Sequence, residues 1–246
     1  QIKEEKKRLV KEGKLKKSKP LPEIKQEEMP FELPNRWVWA NLGEVVIKLI
    51  DGTHHSPPNS KQGKFKYVTA KNIKDFGIDL NGLTYVTKEV HDNIYSRCNP
   101  EFGDILYIKD GATTGIATIN NLQEQFSMLS SVALLKVPKH ILNRYLLYVL
   151  RSPFFFESMR GDMSGVAITR VTLSKMNKAP VPIPPLNEQQ RIAAKVDRLI
   201  GLCDEIETKL FQSNIKEEKL MEAVLAQLSE SNWSRMLEVQ TACQWT

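Results

Sequence analysis

The chain has 246 residues, 41% hydrophobic and 26% charged, which suits one large domain or a smaller one with appendages. No apolar run is long enough to span a bilayer, and the Lys-rich start lacks the apolar core of a secretory signal. Three scattered cysteines (Cys98, Cys203, Cys243) without CxxC or CxH spacing point to reduced thiols in a cytoplasm rather than to disulfides or zinc.

The net charge of +6 is unevenly divided. Residues 1–25 carry ten Lys/Arg against four Glu, residues 37–185 seventeen against twelve acids, and residues 186–230 six against nine. The basic character therefore lies outside the C-terminal third, which nominates the middle of the chain as a binder of polyanions and the last third as scaffold. The first residue is Gln rather than Met, as expected of a piece of a longer chain.

Residues 1–36 form a basic, Pro-containing connector. Gln1 to Glu12 is charged and helical, Gly13 ends it, and Lys14, Lys16, Lys17 and Lys19 lead into a stretch with Pro20, Pro22 and Pro30 that should be extended and exposed. Trp37 and Trp39 then alternate with polar residues as in a half-buried strand, opening a domain over residues 37–185.

From Gly52 to Lys74 there is no acidic residue, but there are Lys61, Lys64, Lys66, Lys71 and Lys74. The segment opens as a loop rich in turn formers, Asp51 to Ser60, and becomes a strand over Phe65 to Thr69. Lysines here can contact phosphate, while Thr53, His54, His55, Ser56 and Asn72 can reach base edges. The bland reading is lysines that protect an edge strand. Adjacent His54 and His55 point to opposite sides of an extended chain, with no acid or Cys cluster to complete a metal site.

Gly103 to Gly111 reads as turn, strand, turn, with Asp104 a turn residue. Gly111-Ala112-Thr113-Thr114-Gly115 lacks the phosphate-cradling P-loop pattern. Lys109, Thr113, Thr114 and Arg170 are outlying candidates for contact with DNA. Ile141 to Leu150 has the spacing of a buried helix, Phe154-Phe155-Phe156 belongs to a core, and Ala179 to Ile183 is strand-like.

Pro184-Pro185-Leu186-Asn187-Glu188-Gln189-Gln190 then starts a long helix, with Asn187 as N-cap and Gln190 at capping-box distance. Apolar residues recur at heptad spacing: Ile192, Val196, Leu199, Cys203, Ile206 and Leu210. The seam breaks at Ser213 and Glu217 and resumes at Leu220 and Val224. A helix over residues 186–229 would be on the order of 60 Å long, too long for a domain of this size to cover, so it calls for a partner helix. The polar, aperiodic tail over residues 230–246 is expected to fray.

These strings together resemble the DNA-sequence specificity subunit of type I restriction–modification systems. The resemblance is carried by Leu33-Pro34-Asn35-Arg36-Trp37, Asp51-Gly52-Thr53-His54-His55-Ser56-Pro57, Val68-Thr69-Ala70-Lys71-Asn72-Ile73, Gly103-Asp104-Ile105-Leu106, Gly165-Val166-Ala167-Ile168-Thr169-Arg170 and Pro182-Ile183-Pro184-Pro185-Leu186-Asn187-Glu188-Gln189. It implies an α+β target-recognition domain followed by a long coiled-coil-forming helix. Full subunits of the family carry two such domains and two antiparallel helices that set the spacer of a bipartite target. This chain has one of each, so it resembles either the C-terminal half of a longer subunit or a half-size subunit that homodimerises.

The resemblance further implies no catalysis and no cofactor in this chain. S-adenosylmethionine, ATP and Mg are expected on the modification (methyltransferase) and restriction subunits that such a subunit docks while it binds double-stranded DNA. In agreement, there is no NPPF-type motif (Pro57-Pro58-Asn59 has the letters in the wrong order), no GxG loop and no Walker lysine. The alternatives are a coiled-coil adaptor whose basic domain binds an acidic protein, the specificity subunit of a related type II-like methyltransferase or nuclease, and an enzyme in its own right.

Overall fold

The computed structural model describes residues 2–13, 15, 20–160 and 170–242, and the chain divides into two compact units, Gln1–Ala193 and Ala194–Thr246. The lysine run at 14, 16, 17 and 19 and the string from Ser164 to Thr169 lie outside the described residues.

The first unit is α+β, as the sequence predicts. It starts with helix α1 (Ile2–Lys11), strand β1 (Val38–Asn41), a short helix α2 (Leu42–Val45) and β2 (Lys48–Asp51). Strands β3 (Phe65–Val68), β4 (Ile73–Lys74), β5 (Gly77–Ile78) and β6 (Thr84–Val86) precede helix α3 (Lys88–Arg97). Then come β7 (Ile105–Ile108), β8 (Ala117–Ile119), β9 (Phe126–Met128) and β10 (Val132–Lys136). Helices α4 (Asn143–Arg151), α5 (Pro153–Arg160) and α6 (Leu173–Lys178) and strand β11 (Pro180–Ile183) complete it.

A four-stranded sheet, β2-β10-β7-β8, is antiparallel throughout. A three-stranded sheet runs β6-β3-β9, with β3 and β9 parallel. The run Ile105-Leu106-Tyr107-Ile108 is apolar at every position because the four-stranded sheet is covered on both faces. Ile105 and Tyr107 join a core with Leu146, Leu150 and Phe155 from α4 and α5. Leu106 and Ile108 face the other way, into a core with Val68, Phe126 and Met128 from the three-stranded sheet.

Strand β11 pairs antiparallel with β1, Trp39 opposite Pro182 and Asn41 opposite Pro180. The prolines fall on the pairs that do not exchange hydrogen bonds, so their missing N–H costs the ribbon nothing. The connector is fastened to this unit. Ile2 packs on the core, Lys6 donates to the Gly43 carbonyl at 2.5 Å, and Asn41 donates to the Pro22 carbonyl at 2.8 Å. Phe31 joins Trp39 and Phe154 in an aromatic cluster with ring centroids 5.1 to 6.1 Å apart.

Helix α7 (Leu186–Ala242) differs from expectation at both ends. Glu188 and Gln189 donate their backbone N–H groups to the Pro185 carbonyl at 2.8 and 3.0 Å, so the helix begins at Leu186 and Asn187 lies inside its first turn instead of capping it. The neighbour Gln189 anchors the start. Its buried side chain accepts from Leu142 N–H at 2.8 Å and donates to the Pro184 carbonyl at 3.0 Å. The helix also runs through Ser213 and Glu217, and past Ser229 to Ala242, without interruption. Polar residues break an apolar seam there but not the backbone ladder, since neither Pro nor Gly occurs after Gly201.

Within α7, Ala193, the last residue of the first unit, is buried and Ile192 and Val196 are half-buried. Leu199, Cys203, Ile206, Leu210, Leu220 and Val224 are exposed along the helix. Among the described residues no helix is long and apolar enough to cross a membrane.

Candidate nucleic-acid interface

The acid-free stretch Gly52–Lys74 runs from the end of β2 through β3 to β4. Asp51 ends β2, and Gly52 then passes so close to β9 that a Cβ on it would sit 1.9 Å from the Met128 carbonyl oxygen. That approach lets Thr53 N–H donate to Met128 at 2.8 Å and lets the Thr53 carbonyl accept from Ser130 N–H at 2.8 Å. The loop is thereby stitched to the turn at 129–131. Beyond the stitch, His54, His55 and Ser56 are exposed, and the Thr53 hydroxyl donates to the His55 carbonyl at 3.1 Å.

Between this loop, the turn after β3, the turn before β6 and the turn at 129–131 lies a cleft of about 610 Å³. Ser56 and Asn59 line one side, Thr69 and Lys71 another, and Asn81, Thr84 and Ser131 the rest; no acidic residue lines it. On its wall the Ser131 hydroxyl is buried without a hydrogen-bond partner among the described residues, and the Tyr67 hydroxyl is buried beside Ser56. Burial raises the Tyr67 pKa above the ordinary tyrosine value, with Ser56 acting against it, so the phenol stays a neutral donor and acceptor. A buried hydroxyl without a partner costs about 1–3 kcal/mol, which a ligand atom entering the cleft would relieve.

Asn72 lies inside rather than at the surface. Its side-chain oxygen accepts from the Thr69 N–H at 3.0 Å and from the Thr69 hydroxyl at 3.2 Å, and its amide donates to the Asp79 carbonyl at 3.3 Å. It shapes the turn and also contributes to the lining of the cleft. Lys61, Lys64 and Lys71 are exposed, Lys64 over the Phe65 ring at 5.9 Å. Lys66 is largely covered and paired with Glu124.

Lys109 departs furthest from its expected place. It follows a strand covered on both faces and is itself only 2% exposed, so it cannot reach phosphate. Its ammonium lies 3.4 Å from Asp51 and 2.9 Å from Asp110. Arg97 (3.6 Å) and His54 (3.5 Å) approach the other Asp51 oxygen. Arg170, mostly exposed, stands 3.5 Å from Asp110 and pairs with it as an isolated β-bridge. Thr113 is exposed at the turn after Asp110, and Thr114 closes that turn on the Gly111 carbonyl at 2.7 Å.

The network thus draws together residues that the sequence names separately: Thr53 and His54 from one loop, Lys109, Thr113 and Thr114 from a second, and Arg170 from a third. Sequence reasoning missed Asn59, Tyr67, Asn81, Thr84 and Ser131. A run of neutral turn residues flanking a basic strand was the one available signal, and it did not reach Ser131.

Residues 34–213 match the family model of the type I restriction modification DNA specificity domain. The chain belongs to this family. It is 32% identical over 257 residues to the type I restriction enzyme EcoAI specificity subunit of Escherichia coli, covering 95% of this chain and 41% of that protein. The EcoEI specificity subunit of the same species is 29% identical, covering 94% of this chain and 40% of its own length. The chain therefore spans well under half the length of these curated relatives.

Among solved structures, one described as the structural basis of complex assembly and conformational transition of the type I R-M system aligns with a TM-score of 0.63. Its identity is 22%, over 91% of this chain and 52% of the other. The HsdS subunit from Thermoanaerobacter tengcongensis aligns with a TM-score of 0.52 at 22% identity, over 70% of this chain and 39% of its own. At that identity what is shared is the fold.

Proposed function

We propose that this chain is a non-catalytic, sequence-specific DNA-binding specificity subunit, or half of one, and that its first unit reads one half of a bipartite target. The observation that carries this reading is the cleft lined by hydroxyls, amides and Lys71, with no acid among its described lining residues, in a stretch that also exposes Lys61 and Lys64. Hydroxyls and amides that both donate and accept can match base edges, whereas lysines at the rim supply the sequence-independent attraction to phosphate. Thr53, His54, His55, Ser56, Thr113, Thr114 and Arg170 complete the proposed contacting set.

The exposed heptad residues of α7 fit pairing with a second long helix, from a homodimer or from the other half of a longer subunit. Methyltransferase and restriction subunits would dock on the resulting pair and bring S-adenosylmethionine, ATP and Mg with them.

Selection of the purified chain against randomised duplexes tests the reading. Enrichment of a bipartite or half-site motif supports it, and retention without sequence preference contradicts it. Methyl transfer to DNA by the chain alone would contradict the non-catalytic assignment. The adaptor alternative predicts no duplex preference at all.

A further inference from the structure

We propose that Lys109 and Asp51 are a buried positioning pair: they touch no DNA, but they set the mutual alignment of the loops around the cleft, and through it the sequence that is accepted. The inference rests on the DNA-reading assignment above and adds to it which buried residues tune the reading.

Three lines of geometry meet at this pair. The Lys109 ammonium is held between Asp51 at the end of β2 and Asp110 at the end of β7. The Lys109 backbone N–H donates to the Ser131 carbonyl at 2.9 Å, and its carbonyl accepts from Val171 N–H at 2.8 Å. Arg97 donates to the Gly52 carbonyl and faces Asp51, which closes the network on the loop side. The ammonium therefore joins the base of the Thr53–Ser56 loop to the start of the Gly111–Gly115 turn and, through Asp110, to Arg170, while the Lys109 backbone ties in the 129–131 turn and Val171. These segments are far apart in sequence, and Asp51 and Asp110, which also meet Arg97 and Arg170, flank the one ammonium between them.

The energetics favour alignment over stability as the pair's role. Desolvating two charges offsets most of their mutual attraction, and an apolar or neutral pair of the same volume holds a core as well or better. What a neutral pair lacks is direction. An ammonium shared between two carboxylates fixes where both strand ends stand relative to each other, whereas a thioether and an amide tolerate several arrangements.

The test compares the full chain with Lys109→Met and with the neutral double variant Asp51→Asn/Lys109→Met. Affinity is measured for the selected duplex and for a scrambled one across a salt series. Lys109→Met alone removes the buried cation from between two carboxylates, so the double variant carries the conclusion if the single one fails to fold. The expected result is a loss of discrimination of about tenfold or more, the weight of one base pair, with an unchanged salt slope because no phosphate contact is removed. A slope lower by about one would make Lys109 a phosphate ligand and overturn the proposal. Full discrimination in the folded double variant would overturn it too. A wild-type chain that does not discriminate would instead remove the DNA-reading assignment, and the inference with it.

Discussion

Lys109 and Asp51 face each other across the ends of β7 and β2, Nζ to Oδ2 at 3.4 Å, with side chains only 3% and 4% exposed. Breaking such a pair from one side strands a buried charge and costs about 3–5 kcal/mol, whereas neutralising both sides costs little. Lys109→Met is therefore expected to lower unfolding stability by about 3–5 kcal/mol in urea titrations, and Asp51→Asn/Lys109→Met to recover most of that loss. Equal stability of the single variant and the wild type would show that the two charges are solvated.

Gly52 stands next to that pair, where β2 hands over to the loop. A methyl group there meets backbone, the Met128 carbonyl oxygen at 1.9 Å and the Leu129 carbonyl carbon at 2.7 Å, and backbone cannot swing aside as a side chain can. Gly52→Ala is expected to cost about 2–3 kcal/mol and to raise hydrogen exchange at Thr53 and Ser130, whose N–H groups make the stitch. Ordinary exchange at both amides would contradict the close approach.

Asp104 closes the turn before β7 by accepting from Glu101 N–H at 2.8 Å, and Lys136 stands 2.8 Å from it. Burial raises its pKa above the ordinary carboxylate value, outweighing the hydrogen bond from Lys136. A raised folded-state pKa means that the folded chain holds this proton more tightly than the unfolded one. The stabilisation is fully present below the unfolded value and is lost as pH rises through the folded one. Asp104→Asn is expected to remove this component from the dependence of Tm on pH across the acid range. An unchanged pH profile in the variant would assign the slope to other carboxylates.

The lysines of the basic stretch divide by their surroundings. Lys64 and Lys71 are exposed, Lys71 at the cleft, while the Lys66 side chain is 16% exposed and paired with Glu124. Lys64→Ala and Lys71→Ala are each expected to weaken binding to all duplexes and to reduce the salt slope by about one, and Lys66→Ala to change it less. Equal slopes for all three variants and the wild type would remove this rim from the interface.

Much of this was legible in the chain because local patterns carry it. The apolar run Ile105–Ile108 announced a strand buried on both faces, the spacing from Ile141 to Leu150 a buried helix, and Asp104 a turn. Lys109 was misplaced because charge suggests exposure. Its position directly after a doubly covered strand, beside Asp110, was the contrary signal. The cleft was invisible because Asn59, Tyr67, Asn81 and Ser131 come from four separate segments, and no periodicity encodes convergence. Asn187 looks like a cap, but Pro185 already supplies the accepting carbonyl, two residues earlier than the side-chain pattern suggests.

Sequencing DNA methylation in the host, with and without this gene, tests the central claim most directly. If the chain reads half of a bipartite target, one bipartite methylation motif disappears when the gene is removed and returns when it is restored. An identical set of methylated motifs in both strains would contradict the account.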